Sequence, residues 1–171
     1  NIYRAIRKQN PNDVIVMLDG DDRLIDKNVL SHIASLYEKD KNLWLTYGNL
    51  ISQPFARRSV CRTFPKEVIK KNNFRYFPYI SSHLRTFYAG LFQQIKKRDL
   101  QHEGRFFTTA GDVAIMMPML EMASKGHFKY VPRVLYVYRD DNPLNDFRRR
   151  PEQKRASLLI RAKKSYVPLG R

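Results

Sequence analysis

The stretch that decides the fold is DVIVMLDGDDRLID, residues 13–26. Its first half is continuously apolar, which predicts a strand over residues 13–18 with helices covering both faces of its sheet. Three carboxylates, Asp19, Asp21 and Asp22, follow around Gly20. The whole chain carries a net charge of +16. We therefore ask why acids follow the strand that the pattern predicts to be the most buried.

The hydrophobic pattern around this stretch predicts one α/β domain. Strand 13–18, a helix that Asp26 caps and that runs to Lys39, and strand 43–50 together indicate a crossover unit. Residues 51–108 show little regularity and indicate loops with short helices. The other predicted elements are the end of a helix at 1–9, a helix at 112–125, a strand at 131–138 and a helix at 151–164.

Length and composition favour a globular protein. The chain has 171 residues, of which 43% are hydrophobic, and this excludes a disordered chain. The one cysteine, Cys61, cannot form an intrachain disulfide, which favours a reducing compartment. No apolar run approaches the roughly 18 residues of a membrane span. From these features we expect a cytoplasmic location.

Positive charge is concentrated near the C-terminus. Residues 147–171 hold nine basic residues against one acid, Glu152. This composition predicts a basic amphipathic helix and tail that follows a domain over residues 1–146. Such a tail attracts polyanions or the anionic inner face of a membrane. A solvated helix face explains the same composition, and the sequence leaves both interpretations open.

The acidic cluster predicts a metal site. Ligands of open α/β sheets bind beyond the carboxyl ends of the strands, which is where Asp19, Asp21 and Asp22 lie. Adjacent carboxylates repel one another unless a cation or hydrogen-bond donors compensate. Mg²⁺ and Mn²⁺ prefer oxygen ligands and often share a carboxylate with substrate phosphates. The cluster therefore indicates a divalent cation that holds a diphosphate.

Other hypotheses explain the cluster differently. A calcium loop of the EF-hand type needs Gly and Glu where this chain has Leu24 and Leu30, so that hypothesis is excluded. A phosphohydrolase with Asp19 as nucleophile shares the strand–Asp–x–Asp pattern but needs a second acidic pair, and none follows Asp112. An acidic turn that only caps the next helix stays open.

Three segments together resemble family 2 glycosyltransferases, which have the GT-A fold. VIVMLDGDDRL at 14–24 resembles their Asp-x-Asp segment, and TAGDVAIMMPMLEMA at 109–123 resembles the segment with the catalytic base. VLYVYRDDNPLND at 134–146 resembles the strand and loop that follow. The resemblance implies a GT-A-type, Rossmann-like mixed sheet flanked by helices. It also implies inverting transfer of a sugar from a nucleotide-sugar donor to a hydroxyl of a glycan or glycolipid acceptor.

The resemblance assigns roles to individual residues. Asp19 or Asp21 contacts the donor, and Asp21 or Asp22 holds Mn²⁺ or Mg²⁺. Asp112 is the general base that takes the acceptor's proton, at a helix N-terminus that favours a negative charge. In the loop that follows the strand of the third segment, Arg139 is expected at the donor diphosphate or paired with Asp140, and Asp141 or Asn142 is expected near the metal or the diphosphate.

A polar and aromatic patch, SSHLRTF at residues 81–87, precedes the base segment. His83 and Arg85 are expected to bind diphosphate or acceptor oxygens. A guanidinium group suits this role because it can donate two parallel hydrogen bonds to such oxygens. A locally satisfied surface loop is the alternative. Glu121, nine residues after Asp112, is expected to have a structural role.

The chain departs from the family in extent. Only about twelve residues precede the Asp-x-Asp strand, so the N-terminal strands of a GT-A sheet are expected to be missing and the sequence to be a truncated fragment. Two other classes of function compete with the transferase: a basic module that binds polyanions, and a phosphohydrolase. Nucleic acid is not expected as a partner, because no nucleic-acid-binding motif is present and the acidic cluster has no use there.

Overall fold

The computed structural model describes residues 2–57, 59–143 and 150–170. The strands are β1 Val14–Met17, β2 Arg23–Leu24, β3 Leu45–Gln53, β4 Arg85–Tyr88, β5 Gln101–His102, β6 Arg105–Phe106 and β7 Phe128–Arg139. The α-helices are α1 Ile2–Arg7, α2 Val29–Lys39, α3 Lys66–Lys70, α4 Ala89–Gln93, α5 Gly111–Met122 and α6 Arg150–Arg161. Short 3₁₀ helices span Phe74–Tyr76 and Lys97–Leu100.

A mixed five-stranded sheet forms the centre of the fold, in the order β1-β4-β3-β7-β2. Strands β3 and β7 are parallel, and β4 runs antiparallel to both of its neighbours, β1 and β3. The carboxyl ends of β1, β3 and β7 therefore lie at one edge of the sheet, together with the amino end of β4. The predicted mixed α/β sheet flanked by helices is confirmed at this level.

Strand β1 differs from its prediction in burial. All four of its side chains are only partly buried, and it pairs with β4 alone among the described strands. Its continuous apolar run thus does not mark the most buried strand, because β1 is an edge strand of the described sheet. The predicted crossover from β1 to β3 exists, but β4 lies between the two strands.

Strand β4 was not predicted. The alternative of a surface loop at residues 81–87 is wrong, because Arg85, Thr86 and Phe87 are buried in a strand between β1 and β3. Polar residues are tolerated here because Thr86 shares hydroxyl contacts with Tyr37 and Thr46 at 2.9 and 2.6 Å. The charge of Arg85 reaches the edge of the sheet, as described below.

The start of α2 also differs from its prediction. Asp26 lies in the preceding turn, where its carboxylate accepts a hydrogen bond from the Asn28 N–H at 2.7 Å. Asn28 occupies the capping position without a side-chain cap. The helix then packs Val29, Ile33 and Tyr37 against one face of the sheet. The other face packs against α4 and α5 through the larger core cluster.

Helix α6 is fixed to the core by a buried ion pair. Arg75 donates to Glu121 through Nε at 2.5 Å and Nη2 at 2.9 Å, and to the Ile160 carbonyl at 2.6 Å. Arg161 in turn donates to the carbonyls of Arg75 and Phe77. Glu121 is fully buried, which agrees with the structural role expected for it. The predicted boundary between residues 146 and 147 lies outside the described residues.

The segment after α6 is also hydrogen-bonded to the core. The Tyr166 N–H donates to Glu121 at 2.9 Å, and the Leu169 N–H donates to the Met122 carbonyl at 2.9 Å. Lys163 donates to the carbonyls of Arg98 and Gln101. Arg161 and Lys163 therefore stabilise the fold through hydrogen bonds to backbone carbonyls. The exposed basic residues of this region are Arg150, Lys154, Arg155 and Lys164.

Within the described ranges, none of the helices combines the length and apolar character that a membrane crossing requires.

We predict that Glu121→Gln lowers the free energy of unfolding by about 3–5 kcal/mol, because it leaves the buried Arg75 guanidinium without its counter-charge. Urea unfolding measures the loss. The matched control is Glu67→Gln, because the Glu67–Lys71 pair is exposed at 73% and 70%. Its loss is expected to stay below about 0.5 kcal/mol. Equal losses in the two variants would contradict the account.

Candidate active site

A cavity of about 860 Å³ lies at the sheet edge where β1, β3 and β7 end. This volume is within the usual range for small-molecule sites, roughly 300–1,000 Å³. The cavity brings together residues that are far apart in the sequence because the strand ends converge there. Its polar lining includes Asp19, Asp21, Arg57, Tyr79, His83, Arg85, Asp112, Tyr138 and Asn142.

Arg85 connects the two sides of the cavity. It is the first residue of β4 and only 5% exposed. Its Nη2 lies 3.5 Å from Asp19 Oδ2, and its Nη1 lies 3.5 Å from Asp112 Oδ2. Burial alone lowers the pKa of Arg85, but Tyr79, Asp112 and Asp19 outweigh it and the pKa is raised. One buried cation therefore faces both the loop after β1 and the start of α5.

His83 lies beside this cation. Its Nδ1 is 2.9 Å from Arg85 Nη2, and its ring stacks on Tyr136 with centroids 4.5 Å apart. Burial, followed by the charge of Arg85, lowers the pKa of His83 to about 2. The imidazole is therefore neutral at physiological pH.

Asp22 is held by two donors from the end of β7. The Tyr136 hydroxyl donates to Oδ2 at 2.6 Å, and the Arg139 backbone N–H donates to Oδ1 at 2.7 Å. Burial raises the pKa of Asp22, although these two hydrogen bonds oppose the rise. The same Tyr136 hydroxyl accepts a hydrogen bond from the Asp19 N–H at 3.2 Å. One tyrosine therefore contacts both ends of residues 19–22, which we call the acidic turn.

The loop after β7 contacts the acidic turn in a different manner from the prediction. Asn142 donates a hydrogen bond to Asp21. The Arg139 side chain pairs with Asp141 at 2.8 Å instead of Asp140, and it is absent from the described cavity lining. Asp140 is buried, where it accepts from the Phe55 N–H and faces Arg57 at 3.8 Å.

Asp112 is the second residue of α5, and its side chain is 30% exposed toward the cavity. Ala110, immediately before the helix, has a φ of 54°, a left-handed conformation that is uncommon for a residue with a side chain. This turn directs the first residues of α5 to the cavity. Burial and the charge of Asp112 raise the pKa of the neighbouring Tyr79 well above its usual value, so Tyr79 stays protonated.

The acidic turn fits a hard divalent cation through two carboxylates. Candidate ligand atoms of Asp19, Asp22 and His83 lie within 4.8 Å of one another. Carboxylate oxygens suit Mg²⁺ and Mn²⁺. The resemblance implied Asp21 or Asp22 as the metal ligand. The geometry groups Asp22 with Asp19 instead, while Asp21 accepts a hydrogen bond from Asn142.

The charge of the cavity differs in sign from that of the chain. Its described lining contains the carboxylates of Asp19, Asp21 and Asp112 and the guanidinium groups of Arg57 and Arg85. Three negative and two positive charges leave a balance of −1 in a protein whose net charge is +16. This balance favours a ligand set that includes a cation.

The sequence did not single out Arg57, Tyr79, Tyr136 and Tyr138, although the structure places them at the site. A signal existed for Tyr136, because the alternating pattern of β7 places it on the same face as Tyr138. Arg57 and Tyr79 lie in the irregular middle of the chain, where no motif marks them.

No family model matches this chain, and no curated protein matches it in sequence.

We predict that Tyr136→Phe lowers the free energy of unfolding by about 1.5–3 kcal/mol, the usual contribution of a hydrogen bond to a charged group. The control is Tyr138→Phe, since its ring also stacks on His83 while no donor role for its hydroxyl is seen in the described structure. Chemical unfolding of the parent protein, Tyr136→Phe, Asp22→Asn and the double variant gives the coupling energy between Tyr136 and Asp22, and the same cycle with Tyr138→Phe is the control. A coupling near zero would contradict the assignment.

Proposed function

We propose that this protein is a metal-dependent, inverting glycosyltransferase with a GT-A-type fold. The observation that supports this most is the convergence of the three segments that resemble the family. Asp19 follows β1, Asp112 lies in the first turn of α5 and Asn142 follows β7, and all three line one cavity. Asp19 and Asn142 are 123 positions apart and Asp112 lies between them, so their common cavity is not a consequence of local sequence.

The donor side of the proposed site is the acidic turn. Asp19 and Asp22 would hold Mn²⁺ or Mg²⁺, and a bound cation supplies positive charge to the diphosphate that leaves. Arg85 and His83 face the same space and offer N–H donors to diphosphate oxygens. Arg57 adds a second guanidinium to the lining. A nucleotide-sugar donor is thus bound through its charged centre.

The acceptor side is Asp112. Its carboxylate takes the proton of the acceptor hydroxyl, whose oxygen then forms the new bond to the anomeric carbon. The bond from that carbon to the diphosphate oxygen breaks, and the diphosphate keeps the electron pair. Attack opposite the leaving group inverts the configuration of the carbon. Arg85 faces both Asp112 and Asp19, and these two contacts fix the position of the base relative to the acidic turn.

Two other functions make different predictions. A basic module for nucleic acid would bind DNA or RNA with steep salt dependence and would ignore nucleoside diphosphate sugars. A phosphohydrolase would release phosphate from simple phosphomonoesters and lose this activity in Asp19→Asn. The transferase is preferred because the cavity lining is net negative and because a candidate base, Asp112, lies across Arg85 from Asp19.

We predict that Asp112→Asn lowers kcat by about 10²- to 10⁴-fold while donor binding is kept, because only the proton acceptor is lost. Thermal unfolding with Mn²⁺ and a panel of nucleoside diphosphate sugars first identifies the donor that stabilises the protein. Release of nucleoside diphosphate then measures turnover.

The matched control for this variant is Asp26→Asn. Asp26 pairs with Arg133 at 3.2 Å and does not belong to the described lining of the cavity. Its turnover is expected to equal that of the parent protein. Full turnover in Asp112→Asn would exclude Asp112 as the base, and a panel without any stabilising donor would contradict the proposed function.

We also propose that the exposed basic residues of α6, Arg150, Lys154 and Arg155, form a basic face that attracts an anionic membrane surface. A glycolipid acceptor would lie at that surface. Each basic residue near such a surface contributes about 1 kcal/mol. Deletion of the tail is unsuitable as a test, because α6 and the segment after it pack against Arg75 and Glu121. Charge reversal at exposed positions leaves these contacts in place.

The charge-reversed variant carries Lys154→Glu and Arg155→Glu. We predict that it binds vesicles with anionic lipids at least about tenfold more weakly than the parent protein, as measured by co-sedimentation. The matched control reverses Lys39 and Lys41, which are exposed elsewhere on the molecule. An equal loss in both variants would indicate that net charge, not the face of α6, determines binding.

A further inference from the structure

The contact between Arg85 and His83 determines where His83 carries its proton. A guanidinium group has N–H donors and no acceptor. Because Arg85 Nη2 lies 2.9 Å from His83 Nδ1, the Nδ1 atom accepts the hydrogen bond and has no proton. A neutral imidazole has one N–H, which is therefore on Nε2.

The orientation of the ring is fixed by its neighbours. The His83 ring stacks on Tyr136 at an interplanar angle of 18° and on Tyr138 at 25°. Tyr136 is in turn tied to Asp22 through its hydroxyl. The tyrosines thus set the plane of the ring, and Arg85 selects which nitrogen carries the proton.

The Nε2–H group is placed beside the acidic turn. Nε2 lies 3.8 Å from Asp19 Oδ2, which is too far for a direct hydrogen bond. His83 also lines the cavity, so an oxygen of a bound ligand can accept from this group. A protonated ring nitrogen has no lone pair for a metal. Although His83 belongs to the cluster with Asp19 and Asp22, its proton removes Nε2 from the ligand set.

We propose that Arg85 is a positioning residue that holds His83 as a neutral Nε2–H donor to a diphosphate oxygen, so that Asp19 and Asp22 alone supply the protein's metal ligands. The identity of the diphosphate rests on the proposed function. The protonation of the ring does not, because it follows from the geometry of the protein without any ligand.

Nuclear magnetic resonance of ¹⁵N-labelled histidine tests the protonation directly, since protonated and unprotonated ring nitrogens have different chemical shifts. The chain has four histidines, and the spectrum of His83→Gln identifies the signals of His83. His127 provides an internal control. Its Nδ1 lies 2.8 Å from the Asn42 carbonyl, which only accepts, so His127 must carry a proton on Nδ1.

The expected spectrum shows His83 protonated on Nε2 alone, both with and without Mg²⁺. Arg85→Met is expected to mix the two tautomers of His83, whereas Arg85→Lys, which keeps a donor, restores the Nε2–H form. An unchanged His127 signal shows that each variant is folded. A proton on Nδ1 of His83 in the parent protein, or a shift of its Nε2 to the metal-bound position on addition of Mg²⁺, would overturn the proposal.

Calorimetric titration with Mg²⁺ separates the ligand sets. His83→Gln is expected to change the affinity by less than about threefold, whereas Asp22→Asn lowers it by more than about tenfold. An equal loss in the two variants would place His83 among the metal ligands and overturn the proposal. If the parent protein bound no Mg²⁺, the metal of the proposed function would fail while the tautomer measurement stands.

Titration with inorganic pyrophosphate tests the donor role of His83. His83→Gln keeps an N–H in place of Nε2–H, so its affinity is expected to stay close to that of the parent protein. His83→Leu removes the donor, and a hydrogen bond to a charged group is worth roughly a ten- to hundredfold change in affinity. Unchanged binding by His83→Leu would overturn the donor role, whatever the activity of the protein with sugars.

Discussion

The site depends on the charge of one buried guanidinium group. A charge that is removed from water must be compensated, because an unpaired buried ion costs several kcal/mol. Arg85 is 5% exposed, and its compensation comes from Asp19 and Asp112, each at 3.5 Å. These carboxylates belong to the loop after β1 and to the first turn of α5. The need to neutralise Arg85 therefore holds together two elements that are distant in the sequence.

The position of β4 in the sheet explains why this works. Strand β4 runs antiparallel between β1 and β3, so its first residue lies at the edge where its neighbours end. Arg85 is opposite Met17 and Tyr47 in the two pairings. Its side chain lines the cavity at that edge. The carboxylate of Asp19, at the end of β1, thus has a counter-charge that belongs to the fold itself.

The same arrangement answers why a strongly basic chain has acids at a strand end. The positive charge lies largely outside the cavity, for example at Lys154, Arg155 and Lys164, which are exposed. Inside the cavity the described lining carries a balance of −1. A metal cation and a diphosphate together would add charges of both signs to this space, which suits a site that contains both carboxylates and guanidinium groups.

Much of the fold could be predicted from the sequence because its longest elements have a clear hydrophobic period. Helix α2 and strands β3 and β7 lie within a few residues of their predicted positions. Strand β4 could not be predicted, because it has four residues and two of them, Arg85 and Thr86, are polar for reasons of tertiary contact. The edge position of β1 was hidden as well, since an apolar run does not state how many neighbours a strand has.

The candidate site could likewise be predicted from the sequence only in part. The acidic cluster predicted a role for Asp19 and Asp22, and the family resemblance implied one for Asp112. Asp19 and Asp112 line the cavity, and Asp22 lies beside Asp19, while their roles stay predictions. Motif spacing did not determine that Asp21 turns to Asn142, because that contact depends on where the loop after β7 lies. Nor could spacing reveal the network from Asp22 through Tyr136 to His83, whose members meet only when β1, β4 and β7 are assembled.

The most direct test of the account is a crystal structure of the protein with Mn²⁺ and inorganic pyrophosphate, in which anomalous scattering locates the metal. The account predicts one Mn²⁺ ion bound by the carboxylates of Asp19 and Asp22, with pyrophosphate oxygens on the metal and within hydrogen-bond distance of Arg85 and His83. Pyrophosphate on the basic face of α6 with no Mn²⁺ in the cavity would contradict it.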